Sequence, residues 1–166
     1  IALGLVSALD IMHKSDAMHA DIKPENCLLS WAEVGWEGKD VYSVNTLPDS
    51  FEIRLGDFGN AMHVAESMSS HDDFDVQTLA YRAPEVLLGV PFDQQIDMWS
   101  LGVVLLELCI GKSIFLAKER GEMLSEITRK LFKLPLNSFQ RGLYFPSFYG
   151  SQPTVEGYWV NESDPR

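Results

Sequence analysis

The chain has 166 residues, 46% of them hydrophobic and 22% charged, with a formal net charge of −11. That length allows one domain with a real core, and that balance is the one of an ordinary soluble globular protein. The acidic excess argues against nucleic acid as a partner and suits either plain solubility or attraction for a basic partner.

The longest apolar run, Leu101 to Ile110, is broken by Glu107 and is too short to span a bilayer, so no membrane association is expected. The chain opens on Ile1, with no secretory-type apolar core behind it, and is expected to be a piece of a longer protein. Cys27 and Cys109 lie among apolar residues. They are expected to be buried thiols rather than a disulfide, which fits an intracellular compartment, cytoplasm or nucleus.

In chain order, residues 1–13 carry Ile1, Leu5, Leu9 and Met12 at three- and four-residue spacing, which predicts an amphipathic helix ended by Lys14-Ser15-Asp16. Met18 to Asn26 reads as a loop, and Cys27-Leu28-Leu29 as a short strand. Residues 30–50 are irregular, punctuated by Gly35, Gly38, Asp40, Asn45, Pro48 and Asp49. Phe51 to Leu55 alternates apolar and polar, as a half-buried strand does. Residues 60–80 read as a polar, mobile loop, with Ser67, Ser69, Ser70, His71, Asp72, Asp73 and Asp75. Val86 to Gly89 predicts a short helical turn stopped by glycine. Residues 96–110 are apolar on nearly every face, a helix for a domain interior. Met98 and Trp99 read as core, and Asp97 is placed near the start to accept backbone N–H groups. Residues 119–133 predict a surface helix with Met123, Leu124, Ile127, Leu131 and Phe132 inward. From Pro135 on there is no period. The predicted fold class is mainly α with a few short β-strands.

The chemistry concentrates in His19-Ala20-Asp21-Ile22-Lys23-Pro24-Glu25-Asn26. Asp21 can accept a proton. Lys23, two residues on, can reach the same site and hold a phosphate. Asn26 offers a carbonyl oxygen, a hard ligand that suits Mg²⁺. Pro24 keeps Lys23 out of helical geometry, so the stretch is a loop that presents side chains. Asp57 follows a strand end, where a metal could meet its carboxylate, and Gly59 lets the backbone turn. His13, His63 and His71 have no ligand-like spacing and are expected to be surface or structural histidines.

Three motifs in this order, His-Ala-Asp-Ile-Lys-Pro-Glu-Asn at 19–26, Asp-Phe-Gly at 57–59 and Tyr-Arg-Ala-Pro-Glu at 81–85, followed by Asp-Met-Trp-Ser-Leu-Gly at 97–102, together resemble the carboxyl-terminal lobe of a eukaryotic protein kinase. The resemblance implies a protein-kinase-like C-terminal lobe, with residues 1–166 a partial kinase domain, the N-terminal lobe absent, and 30–50 an insertion loop. It implies ATP and Mg²⁺ as cofactors. By the same resemblance Asp21 is the catalytic base, Lys23 steadies the γ-phosphate, Asn26 and Asp57 hold Mg²⁺, Leu28 lies under the adenine, and Thr78 hydrogen-bonds Asp21 and Lys23. His19 and Phe58 would stack, Asp97 would fix the backbone of the catalytic loop, and Glu85 would anchor the segment that follows the activation loop. Lys23 with Thr78 resembles serine/threonine rather than tyrosine kinases. Residues 81–89 carry the pattern of the CMGC group, with features of its SR-protein, dual-specificity and homeodomain-interacting branches. The implied substrate is a protein hydroxyl, on a basic or Arg/Ser-rich protein, with no direct nucleic acid or membrane partner.

The departures carry expectations of their own. Ala20 replaces the usual arginine of the catalytic loop, and Leu79 replaces another. Asp75 stands where many CMGC kinases carry a phosphorylated tyrosine. Asp75 is expected either to pair with Arg82, making phosphorylation unnecessary, or simply to be solvated. Residues 30–50 read as a tolerated surface loop or as a docking element anchored by Trp31 and Trp36. No Gly-rich phosphate loop precedes the helix at 1–13, so this piece alone is expected to bind ATP poorly and be inactive. A pseudokinase-like or isolated-lobe binding scaffold is the alternative to an active enzyme.

Overall fold

Leu5 and Leu9, four residues apart, share one helical face, and both are fully buried in helix α1, Ala2–His13. The computed structural model describes residues 1–30, 51–69 and 76–149. The expected insertion with Trp31 and Trp36, the expected pair of Asp75 with Arg82, and His71 therefore fall at least partly outside the described residues. Ile1, the first member of the predicted apolar face, is half exposed. Helix α1 ends in turns through Ser15 and Asp16, whose N–H groups reach the carbonyls of Met12 and His13 at 2.9 and 3.0 Å.

Among the described residues, four short strands form two separate antiparallel pairs. Strand β1, Ala17–Met18, pairs with β4, Met62–His63, and β2, Cys27–Ser30, pairs with β3, Glu52–Leu55. In β3 the residues alternate between exposed and half-buried, as the sequence pattern predicts. The backbone of α1 lies against β3: a Cβ on Gly4 would collide with Cγ2 of Ile53, so glycine sets how closely the two elements approach.

The expectation of a loop over 60–80 is corrected by β4 and by helix α2, Val64–Ser69. A two-residue strand and a six-residue helix carry too few residues for a period to register. Their order comes from distant partners. The Val64 N–H reaches the Asp16 carbonyl at 2.9 Å, and the Ser67 hydroxyl donates to the Phe92 carbonyl at 3.0 Å.

Helix α3, Pro84–Leu88, begins two residues before the predicted turn, with proline in its first turn and Gly89 closing it at φ 70°. Proline has no N–H to leave unsatisfied at that position, and glycine accepts the left-handed cap. Helix α4, Gln95–Ile110, is buried along Ile96, Ser100, Leu101, Val103 and Val104. Its all-round apolar composition predicts an interior helix, but Met98 is 42% exposed and Leu106, Leu108 and Ile110 are also open. The described residues pack against one side of it. The cysteines correct the sequence in the same way: both are free, Cys27 half-buried and Cys109 exposed near the open end of α4.

Helix α5, Arg120–Lys130, buries Met123, Leu124 and Ile127, while Leu131 and Phe132 lie past its end and are exposed. The segment before helix α6, Phe145–Tyr149, is fastened to the end of α3. The N–H groups of Leu143 and Tyr144 reach the carbonyls of Gly89 and Leu88, both at 3.0 Å. Arg120 spans the same junction, donating to the Val86 carbonyl at 3.0 Å and lying 4.5 Å over the Tyr144 ring. One apolar cluster joins α1, α3, α4 and α5 through Leu5, Leu9, Leu87, Leu101 and Ile127. A second, with Met18, Ala20, Val76, Ala83, Val86 and Ile96, supports the loop at 19–26. The architecture is a set of helices with a few short strands. Among the described residues no helix is long and apolar enough to cross a membrane.

Candidate active site

The two strand pairs bring two loops side by side, 19–26 after β1 and 56–61 after β3. The pairing of Cys27 with Leu55 runs on into a Gly56 N–H to Asn26 carbonyl bond of 2.9 Å. Asp57 therefore enters beside Asn26 along the backbone.

The first loop is held from below. Asp97, fully buried in the first turn of α4, accepts the N–H of His19 at 2.8 Å and of Ala20 at 2.9 Å. Its Oδ2 also meets His13 Nε2 at 2.9 Å. The sequence places Asp97 to accept backbone N–H groups near a helix start; the groups it takes belong to the distant loop. Ala20 is held at φ 61°, a left-handed conformation that costs a residue with a Cβ about 1–3 kcal/mol and persists only where its surroundings impose it. Here they do so from both sides: Asp97 takes the Ala20 N–H, and the Ala20 carbonyl accepts the Gln77 N–H at 2.9 Å.

His19 is fully buried. Its Nδ1 accepts the Asp21 N–H at 3.3 Å, and its Nε2 faces the Gly56 carbonyl at 3.0 Å. A carbonyl only accepts, so these partners call for a neutral ring with its proton on Nε2. The imidazole thus bridges the two loops, and it lies 5.2 Å from the Phe58 ring. Phe58 is itself 54% exposed.

Asp21 is the focus. Its Oδ1 accepts both the Thr78 N–H at 3.0 Å and the Thr78 hydroxyl at 2.8 Å. Its Oδ2 accepts Lys23 Nζ at 2.8 Å, and Lys23 Nζ also donates to the Thr78 hydroxyl at 3.1 Å. Asn26 donates through Nδ2 to the Asp21 backbone carbonyl at 2.8 Å, with a longer contact of 3.5 Å to Oδ2. Burial alone would raise the Asp21 carboxyl, but the bonds from Lys23 and Thr78 outweigh it, and the group lies below its ordinary value of 3.8. The Lys23 ammonium is pushed up, first by the bond to Asp21, and the charge of Asp57 adds to the rise.

The structure thus brings Asp21, Lys23 and Thr78, from loops, together with Asn26, the last residue of a 3-10 turn over Pro24–Asn26. Asp57 is exposed at the rim, at φ 57°, with its Oδ1 accepting the Gly59 N–H at 3.4 Å. Leu28 is 51% exposed beside Gly56, where a Cβ would come within 2.8 Å of Leu28 Cδ1. Glu85 is half-buried, and burial pushes its carboxyl up.

The donor set suits a magnesium ion that arrives on phosphates. Among the described residues no cluster of three or more His, Cys, Asp or Glu forms a metal cage. What the loops offer is one carboxylate, Asp57, and one amide oxygen, Asn26. Mg²⁺ is commonly held by one or two carboxylates with substrate phosphates and water completing its shell.

Sequence reasoning missed several supports. Gln77, Ser100 and His13 each bond the loop or its foundation from far along the chain. Tyr81 donates to Glu107 at 2.7 Å, fixing the segment after Thr78 to α4, and burial pushes the Tyr81 phenol well up. Tyr81 and Ser100 stood in motifs, but nothing in either motif pointed to these partners.

The family whose description reads "Protein kinase domain" matches residues 1–149. Cyclin-dependent kinase-like 5 of Homo sapiens is 34% identical over 146 residues, covering 88% of this chain and 13% of that protein. Serine/threonine-protein kinase AFC1 of Arabidopsis thaliana is 37% identical, covering 79% of this chain and 29% of its own length. Dual specificity protein kinase YAK1 of Saccharomyces cerevisiae is 32% identical, covering 74% and 13%. The chain spans less than a third of the length of these relatives, all of them CMGC-group kinases. On the family match and these identities, the chain belongs to the protein kinase family.

Proposed function

We propose that the protein containing this chain transfers the γ-phosphoryl group of ATP to serine or threonine hydroxyls of protein substrates. In this reading residues 1–166 are the part of the kinase domain that carries the catalytic loop, the C-terminal lobe, with 30–50 inserted between β2 and β3. The observation that carries the reading is the carboxylate of Asp21, held on one oxygen by Thr78 and on the other by Lys23.

Bound Mg²⁺ and ATP supply the phosphoryl group and the cationic charge that offsets its oxygens. The chain's own residues do the rest by position and charge, which is most of what a loose phosphoryl-transfer transition state needs. Oδ2 of Asp21 has one close donor, and a carboxylate oxygen can accept more than one bond. That leaves room for a substrate hydroxyl, which Asp21 orients and whose proton it accepts. A base below the ordinary aspartate range is weak, so orientation counts for more than early proton removal. Lys23 brings its positive charge to the same oxygen atoms. Asn26 and Asp57 offer hard oxygens for the metal, and Leu28 an apolar surface for the base.

The relatives' names, serine/threonine and dual specificity kinases, support a hydroxyl acceptor on protein. The net charge of −11 favours a basic or Arg/Ser-rich substrate over nucleic acid. The test is transfer of labelled phosphate by the full-length protein to serine, threonine and tyrosine peptides with basic or acidic flanks. Serine or threonine peptides with basic flanks are expected to be labelled, and Asp21→Asn to cut the rate roughly 100-fold or more. Labelling that survives Asp21→Asn, or partner binding with no labelling at all, would overturn the reading; the latter would favour a scaffold.

A further inference from the structure

Gln77 is 3% exposed and sits at φ 65°, a conformation that any residue with a Cβ adopts at a cost. Every polar atom it owns is engaged. Its N–H donates to the Ala20 carbonyl at 2.9 Å, and its carbonyl accepts Nε and Nη2 of Arg82 at 3.1 and 2.7 Å. The side-chain Nε2 donates to the Ile96 carbonyl at 2.8 Å and to the Ser100 hydroxyl at 2.7 Å, while Oε1 accepts the Ala83 N–H at 2.9 Å. The Ser100 hydroxyl in turn donates to the Tyr81 carbonyl at 2.7 Å. One side chain thus ties α4 to both ends of the segment 77–83, and its backbone ties that segment to the loop that carries Asp21.

The chemistry of the pocket admits few residues. It presents two acceptors and one donor, so it needs two N–H groups and one oxygen at the end of a three-atom reach. A glutamine carboxamide supplies them; glutamate has no N–H, and asparagine is one methylene short. None of these bonds on the side chain involves a charged group. The next residue, Thr78, is the one that places an N–H and a hydroxyl on Asp21.

We propose that the Gln77 carboxamide is a positioning residue that pins the segment 77–83 onto α4 in the arrangement where Thr78 reaches Asp21, and that this pin needs no phosphate on the activation segment. The regulatory consequence rests on the kinase reading above; the pin itself does not. Ala20, beneath it, contributes only backbone, so its side chain offers no cation for a phosphate to order.

The experiment uses the full-length protein after phosphatase treatment, followed by amide hydrogen exchange and steady-state kinetics. In wild type the amides of Gln77, Thr78 and Ala83 are expected to stay protected. In Gln77→Leu their exchange is expected to rise roughly tenfold while Leu101 to Val104 in α4 is unchanged. The kcat is expected to fall roughly tenfold, short of the roughly 100-fold that a 1 Å misplacement can cost, with the KM for ATP unmoved. If Gln77→Leu does not fold, Ser100→Ala removes one acceptor and is expected to shift the same amides and kcat in the same direction by less. Protection lost on phosphatase treatment of wild type, exchange raised equally along α4, or no change in either variant would overturn the proposal. Protection that follows Gln77 in a protein with no transfer activity would uphold the pin and remove the kinase reading.

Discussion

The carboxylate of Asp97 and the N–H of Ala20 meet at 2.9 Å across 77 residues of sequence. That bond, with its neighbour to His19, means that the interior of the protein sets the backbone of the loop carrying Asp21. A buried acid spends its oxygens on a loop that would otherwise be free to choose a cheaper conformation than φ 61° at Ala20.

Replacing Asp97 by asparagine leaves one oxygen for three donors and turns an N–H₂ group toward at least one of them. Unsatisfied buried donors cost about 1–3 kcal/mol each, so Asp97→Asn is expected to lose roughly 2–4 kcal/mol. Denaturant unfolding of the full-length protein measures this. A midpoint unchanged from wild type would mean that the loop holds its shape without the clamp. His13→Ala removes one of the three donors and is expected to cost less.

Thr78 shares with Lys23 the lowering of the Asp21 carboxyl against its burial. Burial raises the Asp21 carboxyl, while Lys23 and Thr78 lower it further, so the folded-state pKa lies below the ordinary 3.8. The unfolded chain then binds more protons than the folded one in the window from about 3.8 downward to the folded value. The stabilisation is fully present above that window and is lost as pH falls through the folded pKa. Thr78→Ala deletes the hydroxyl donor and narrows the window from below. The acid limb of kcat/KM is expected to move to higher pH, and the stability lost between about pH 3.8 and the folded value is expected to shrink. Thr78→Ser, which keeps the hydroxyl, is expected to leave both in place. A limb that shifts equally in both variants would show that the hydroxyl is not what lowers Asp21.

Gly4 tests the contact between α1 and β3. Alanine is the better helix former by about 1 kcal/mol, which favours Gly4→Ala in isolation. The added Cβ would collide with Cγ2 of Ile53, whose branched side chain has little freedom to turn away. Overpacking of this kind costs about 1–3 kcal/mol, so the variant is expected to be net destabilised. Thermal unfolding of Gly4→Ala, alone and with Ile53→Leu, separates the two effects. In the Ile53→Leu background the penalty is expected to shrink, and an equal penalty in both backgrounds would point away from this contact.

The part of the site that the sequence revealed is the part in which chemistry demands a residue type at a fixed local spacing. Asp21, Lys23 and Asn26 fall within one loop, and the turn after β3 delivers Asp57. Thr78 came from resemblance, since nothing local ties it to Asp21. Gln77 was hidden because its partners, Ala83, Ile96 and Ser100, are scattered and the residue sits in a polar stretch that reads as a loop. Helices α1 and α5 were legible from spaced apolar residues, whereas β1 and β4 exist only as partners of each other. The all-apolar sequence of α4 could not reveal which of its faces the described residues would cover. Cys109 was misread for that reason, since it lies on the open part of that helix.

Two loops, one carrying Asp21 and Asn26 and the other Asp57, must serve one nucleotide and its metal for this description of the protein to hold. Calorimetric binding of ATP to the full-length protein, with and without Mg²⁺, addresses that convergence. Asp21→Asn is expected to bind ATP with Mg²⁺ within about threefold of wild type while transferring almost no phosphate. Asp57→Asn is expected to lose roughly tenfold or more of the affinity that Mg²⁺ adds. Mg²⁺-dependent binding that is the same in wild type and in Asp57→Asn would contradict it.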